Sequence, residues 1–495
     1  MALTKTKFIE YTRCPKYKKK KKIKEKALKE VPSRQEYFEE EKNTQIKELM
    51  DAMIEVDQEG NLVDKTIQKD KKLEAMLEYY KKVEIEASRL FSKISEGPIY
   101  YGENTINQKS FSFLYQNIPL LCYVDIYNEN KKEINIVEVK ATTTKKYLEF
   151  SSGYPKKWKH SIFKKKGNIY FFKDELGIDI EKEMPIKNYE REKNKLKDRF
   201  GLGQYFWDLA FQRFVIENSL KEQGKDISLH YYLGVLNHKY TFSGKYEKNT
   251  PIYEPDENKE EVITFFQCDQ ITKELQGEIQ KSLDELFQNV KHPKDISCPL
   301  GVSCGYKKVN SCKFFSTVCG KKIPATNSVL HYVNNPFGFV FENGKRLKGL
   351  DLVNAGFYDM LDIDEKWITK ENHKIQRACY KNHIEYINKE KIKTALDSLD
   401  YPSYHLDFET FPCPLPRFKG EHPYTQSPFE FSLHIEHSPG VCDIKKDHVV
   451  FLAKTMQDER EELIRCLLKN VDVHKGTLFA QNVAFEKGRL KELAT

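Results

Sequence analysis

The chain has 495 residues, of which 32% are charged and 39% hydrophobic, and a formal net charge of +8. That length allows about two to four domains with sizeable cores, and no apolar run approaches the ~20 residues of a membrane-crossing helix. The mild basic excess suits a polyanionic partner, but Lys, Asn, Ile, Tyr and Phe are all abundant, as codon bias alone would produce, so charge argues little by itself. The N-terminal MALTKTKFIEYTRCP lacks the apolar core of a signal peptide, which predicts a cytoplasmic, membrane-free protein. In that reducing compartment the 11 cysteines are not structural disulfides.

A short helical pattern opens the chain and runs into Lys18 to Lys22. A charged stretch over about 26–95, rich in Glu and Lys, reads as solvated helices. The segments GPIYYGENT, KSFSFLYQN, IPLLCYVDIYN and EINIVEVKAT over about 98–142 are rich in β-branched and aromatic residues and read as an antiparallel meander. LGQYFWDLAFQRFVIENSLKEQG has apolar residues at helical spacing and ends on Gly224. ISLHYYLGVLNHKYTFSG reads as a further strand. TKELQGEIQKSLDELFQNVKHP reads as one helix ended by Pro293. A connector with a helix near 370–397 follows, and a new αβ texture begins near 401.

Within the meander, Asp125 ends one apolar strand, NENKKE makes a turn, and the next strand puts Glu138 and Lys140 on one face. A hairpin of this length returns Asp125 to the side of Glu138. Two carboxylates offer hard oxygen ligands for Mg²⁺ or Mn²⁺, and a lysine can stabilise charge developing on a phosphate. The same string also fits an exposed hairpin with ordinary surface charges. The arrangement resembles the RecB-like branch of PD-(D/E)XK nucleases. The resemblance implies an upstream helical acid, for which KKVEIEASRLF offers Glu84 or Glu86. It also implies a downstream helical glutamine, for which WDLAFQRFVIE offers Gln212, with Asp208 one turn earlier. That branch has a tyrosine four residues beyond the glutamine; here the residue is Ile216.

SCPLGVSCGYKKVNSCKFFSTVCG gathers Cys298, Cys304, Cys312 and Cys319. Thiolates bind zinc or iron–sulfur centres, and spacing alone fits a local zinc site, although no C-x2-C pair is present. FIEYTRCPKY resembles the opening of iron–sulfur RecB-type nucleases, AddB-like and CRISPR-associated. There one cysteine before the nuclease core joins three after it. The resemblance implies a 4Fe–4S cluster on Cys14, Cys304, Cys312 and Cys319, with Cys298 as the alternative and Zn as the alternative metal.

SYHLDFETF places Asp407 and Glu409 on one face of a strand. This D-x-E, with the later TLFAQNVAFEKGRLKEL, resembles DnaQ-like (DEDD) exonucleases of the RNase H-like fold. The second motif would be Asn482 and Glu486, where the family usually has Asp. The pattern stops before the final acid, which predicts an incomplete second site and a protein partner or downstream fragment to complete it. The segment PCPLPRFKGEHPYTQSPFEFSLHI reads either as a groove for single-stranded bases or as a packed loop.

The order of these parts resembles an uncharacterised bacterial family of unknown function. It implies an α+β protein in three parts: a restriction-endonuclease-like mixed-sheet core with a helical insert over 1–320, a helical connector over 321–400, and a partial RNase H-like domain over 401–495. The activity implied is a Mg- or Mn-dependent deoxyribonuclease acting on single-stranded DNA or DNA ends, in repair or defence. The alternative is a non-catalytic nucleic-acid-binding scaffold.

Overall fold

The computed structural model describes residues 2–17, 33–53, 71–102, 108–148, 161–291, 298–305 and 312–494. Lys18 to Lys22 and Pro293 lie outside them. The fold is mixed α and β, and no described helix is long and apolar enough to cross a membrane.

Strand β1 (Leu3–Thr4) leads into α1 (Lys5–Tyr11), whose first turn is capped by the Thr4 side chain accepting from Lys7 N. Helices α2 (Arg34–Met53) and α3 (Lys71–Phe91) follow. They are not solvated all round. Ile46 and Leu49 on α2, and Met76, Tyr80, Val83, Ala87 and Leu90 on α3, recur at helical spacing and are buried. Each full burial of that kind contributes roughly 1.5–3 kcal/mol, which presses the pair onto the sheet.

The expected meander is two sheets. Strands β2 (Ile99–Tyr101), β3 (Lys109–Tyr115), β4 (Ile118–Val124), β5 (Ile126–Glu129) and β6 (Glu133–Thr143) are present. The chain breaks at Asp125: β4 stays with β3 and β1, whereas β5 joins a seven-stranded sheet. IPLLCYVDIYN therefore changes sheet at its carboxylate rather than continuing as one strand.

The large sheet continues with β7 (Phe163–Lys166), β8 (Ile169–Phe172), β9 (Ser228–Leu236) and β10 (Ile263–Gln267), in the order β2-β5-β6-β9-β10-β8-β7. The strand after Gly224 ends at Leu236, short of the expected segment. Strand β6 is antiparallel to β5 and parallel to β9. A parallel pair needs a crossover connection, and α4 (Gln204–Glu222) lies within it. Helix α4 covers one face of the sheet and the α2–α3 pair the other, so β6 is buried over nine consecutive residues. In such a strand apolar residues are the rule; Glu138 and Lys140 are the exceptions.

The single helix expected before Pro293 is two, α5 (Asp269–Glu274) and α6 (Gln276–Lys291). The connector is not purely helical either. It carries a short hairpin and a small core of its own, including Val329, Tyr332, Phe339, Leu352 and Met360. Its helix is divided into α7 (Glu371–Asn382) and α8 (Lys389–Asp397), because His383 takes a left-handed conformation that ends the first.

The C-terminal sheet comprises β11 (Ser403–Pro412), β12 (Gln426–Glu436), β13 (His448–Leu452) and β14 (Thr477–Phe479) in the order β13-β12-β11-β14. The first three are antiparallel, and β14 runs parallel to β11 after α9 (Arg460–Asn470). Helix α10 (Val483–Leu493) packs beside it. The Pro- and aromatic-rich β11–β12 connection is a packed loop. Leu415 joins the core of the first unit, and Phe411 and Tyr424 pack against Ala141 and Tyr80. Tyr253 Oη donates to Pro416 O at 2.9 Å, and Phe242 N to Glu421 O at 2.9 Å.

Candidate metal centre

Five elements meet at β6. Glu138 and Lys140 lie two residues apart on that strand and form an ion pair of 2.8 Å. Asp125, at the β4–β5 break, lies one residue before the Ile126↔Val137 pair and accepts from Val139 N at 2.8 Å. The hairpin thus brings Asp125 to the β6 segment that carries Glu138 and Lys140, as the spacing predicts. Gln212 from α4 donates through Nε2 to Glu138 Oε2 at 2.6 Å and to Tyr123 O at 3.1 Å. Asp208, one turn earlier, reaches Lys140 at 4.0 Å.

Helix α3 separates the two upstream candidates. Glu84 lies within electrostatic reach of Asp125, Glu41, Lys140 and Glu138. Glu86 turns away and pairs with Arg89 at 2.8 Å. Three further groups escape sequence reasoning. Glu48 on α2 pairs with Lys140 at 3.0 Å and accepts from Tyr80 Oη at 2.5 Å. Glu41, one helical face earlier, acts on Glu84 and Asp125. Lys5 on α1 forms an ion pair with Glu138. Lys5 is one of many lysines in a lysine-rich opening, and Glu41 and Glu48 belong to a stretch full of Glu, so nothing local marks them.

The electrostatics divide the carboxyls. Burial opposes the charge on Glu138, but the Lys140 and Lys5 ammoniums outweigh it and hold the group down at about 2. Burial, reinforced by the Glu138 carboxylate, pushes Asp125 up to about 8. Burial and the Asp125 charge carry Glu84 well above the usual range. Burial takes Asp208 up to about 7. Burial alone would lower Lys140, but Glu138 and Glu48 keep it well above its ordinary value. Glu138 and Lys140 are buried, while Glu84 and Asp125 are half-buried.

Carboxylate oxygens are the donor type that a hard divalent cation takes. Six carboxyls (Glu41, Glu48, Glu84, Asp125, Glu138, Asp208) act on two ammoniums, Lys5 and Lys140. Two of their oxygens, Glu41 Oε2 and Glu48 Oε1, are buried with no hydrogen-bond partner, although Glu48 Oε1 has its ion pair with Lys140. Glu48, Glu138 and Asp208 are buried and Glu41, Glu84 and Asp125 half-buried, and such an excess of poorly solvated acid calls for added positive charge or protons. Among the described residues no three His, Cys, Asp or Glu side chains stand in ready chelating geometry. At Glu138 the cause is visible, since donors of the chain itself occupy both oxygens.

Cys14 lies within electrostatic reach of Cys298 and Cys312, far along the chain, and burial raises the Cys14 thiol. Lys16 Nζ donates to Cys298 O at 3.1 Å, Arg13 Nε donates to Ser303 O, and Cys312 N donates to Cys304 O at 2.8 Å. Tyr17 meets Phe314 edge-on at 5.1 Å. Cys319 ends the adjoining turn, Phe315–Cys319. By these contacts Cys298 is a closer companion of Cys14 than the sequence reading allowed. Soft thiolate donors fit iron–sulfur or zinc.

In the C-terminal sheet, Asp407 and Glu409 alternate outward along β11 while Leu406 and Phe408 point into the core. Asn482 caps α10, and Glu486 in its first turn is buried, with Oε2 lacking a hydrogen-bond partner. Burial, then Asp407, raises Glu486 to about 7. Burial, then Glu409, raises Asp407. The three carboxyls of this second group thus act on one another electrostatically.

Residues 404–495, which span this sheet and its two helices, match a domain of unknown function (DUF2779). No curated protein matches the chain.

Proposed function

We propose that the chain is a divalent-metal-dependent nuclease of the RecB-like PD-(D/E)XK type, acting on DNA that is single-stranded or has free ends. The observation that carries the reading is the meeting of Glu84, Asp125, Glu138, Lys140 and Gln212 around one buried strand. Those five side chains come from three separate stretches of sequence, and an exposed hairpin with ordinary charges would not gather them. Asp125 and Glu138, with Glu84, would hold Mg²⁺ or Mn²⁺. The ion, when bound, supplies Lewis acidity at the phosphate and activates water. Lys140 offers its ammonium to charge developing on the phosphate, and Glu48 and Glu138 hold it charged and aimed. Gln212 fixes the rotamer of Glu138.

The cysteine group supports a 4Fe–4S or Zn staple between Cys14 and the 298–319 segment. Such a link closes a loop of nearly the whole first unit and would stabilise it accordingly. In the C-terminal unit, the strand order, the Asp407–Glu409 pair and Glu486 at a helix start favour an RNase H-like reading. The first centre adds a buried lysine and a glutamine to its carboxylates, so it is assigned the chemistry.

A labelled single-stranded DNA incubated with Mn²⁺ tests the assignment. Wild type and Asp407→Asn are expected to cleave at similar rates, and Asp125→Asn to lose cleavage. Survival of activity in Asp125→Asn together with its loss in Asp407→Asn would reverse the two sites. Binding without cleavage by wild type would favour a nucleic-acid-binding scaffold.

A further inference from the structure

Glu138 is the most heavily engaged carboxylate of the centre. Its Oε1 takes Lys140 Nζ at 2.8 Å and also Lys5 Nζ, and its Oε2 takes Gln212 Nε2 at 2.6 Å. Glu138 is fully buried and Lys5 nearly so. The two lysines are not equivalent. Lys140 has a second acid, Glu48, at 3.0 Å, whereas among the described residues Glu138 is the ion-pair partner of Lys5.

Lys5 is also held in place from outside the centre. The preceding Leu3 and Thr4 pair in parallel with Leu120 and Leu121, and Thr4 caps the helix that Lys5 begins. At the far end of that helix Arg199 donates to Ile9 O at 3.1 Å and also to Thr12. The backbone of Lys5 is therefore fixed, and only its four-carbon stem can move.

We propose that Lys5 is a built-in counter-ion that occupies the cation position at Glu138, so that its charge sets how tightly the centre binds a divalent ion. The inference rests on reading Asp125 and Glu138 as cation ligands. An ammonium and a divalent cation compete for the same oxygen and repel each other across a few ångströms of poorly screened interior. Entry of the ion requires Lys5 to leave Glu138. The charged groups that face Lys5 are Glu138, Lys140, Glu41 and Asp208. Of these, Glu41 has a buried oxygen without a hydrogen-bond partner, and so offers the displaced ammonium a second acceptor.

Mn²⁺ binding to the full chain, measured by calorimetry without nucleic acid, tests the proposal on wild type, Lys5→Met, Lys5→Gln, Lys5→Arg and Asp125→Asn. Lys5→Met and Lys5→Gln are expected to bind Mn²⁺ at least about tenfold more tightly than wild type, since both competition and repulsion are removed. Lys5→Arg, which keeps the charge, is expected to bind no more tightly than wild type. Asp125→Asn is expected to lose binding. Equal or weaker binding by Lys5→Met and Lys5→Gln, with binding still lost in Asp125→Asn, would overturn the counter-ion role and leave the nuclease reading standing. Undiminished binding in Asp125→Asn would remove that reading and this inference together. Failure of both neutral variants to fold, read by thermal melting, would assign Lys5 to stability and overturn the proposal.

Discussion

Lys140→Met is expected to reduce Mn²⁺-dependent cleavage by about 10²- to 10³-fold, the usual cost of removing one preorganised donor at a site of developing charge. Lys140 is buried and held between Glu138 and Glu48. Its position is therefore set before substrate arrives, and none of the loss can be made good by a solvated lysine nearby. Methionine keeps the length and the apolar stem. Turnover on labelled single-stranded DNA at saturating Mn²⁺ separates this loss from weakened ion binding. A variant within a few-fold of wild type would place the chemistry elsewhere.

The second large effect falls on stability. Glu138→Ala strands the buried ammonium of Lys5, leaves Lys140 with Glu48 as its close acid, and removes one of the two acceptors of Gln212. Breaking a buried ion pair from one side costs about 3–5 kcal/mol. Glu138→Gln preserves the shape and an acceptor oxygen and is expected to cost less. The double change Lys5→Met, Glu138→Gln removes the stranded charge and is expected to recover part of the loss. Denaturant midpoints of the three variants check the order. Identical midpoints would mean that water reaches these groups and that the centre is not a buried one.

The first carboxylate centre is legible in the sequence to the extent that it is local. The alternation of VEVK puts Glu138 and Lys140 on one face, and the turn length returns Asp125 to them, because strand periodicity is a property of the backbone itself. Helical periodicity presents Glu84 and Glu86 with equal plausibility, and only the packing of α3 on the sheet chooses Glu84. Lys5, Glu41 and Glu48 are illegible because their role comes from long-range contact. Lys5 reaches a residue 133 positions away, and no local pattern distinguishes it from its lysine neighbours. The meander misleads for a related reason. CYVDIYN has the composition of one strand throughout, yet the chain changes sheet at Asp125. The β11–β12 connection offers bases or a core equally by composition; the sheet it docks on decides for the core.

Crystals of the protein soaked in Mn²⁺, with diffraction collected at the manganese absorption edge, test the spatial claim beneath all of this. A single strong anomalous peak is expected within bonding distance of Asp125 and Glu138, with the Lys5 side chain moved off Glu138. A peak confined to Asp407, Glu409 and Glu486, with nothing at Asp125, would contradict the account.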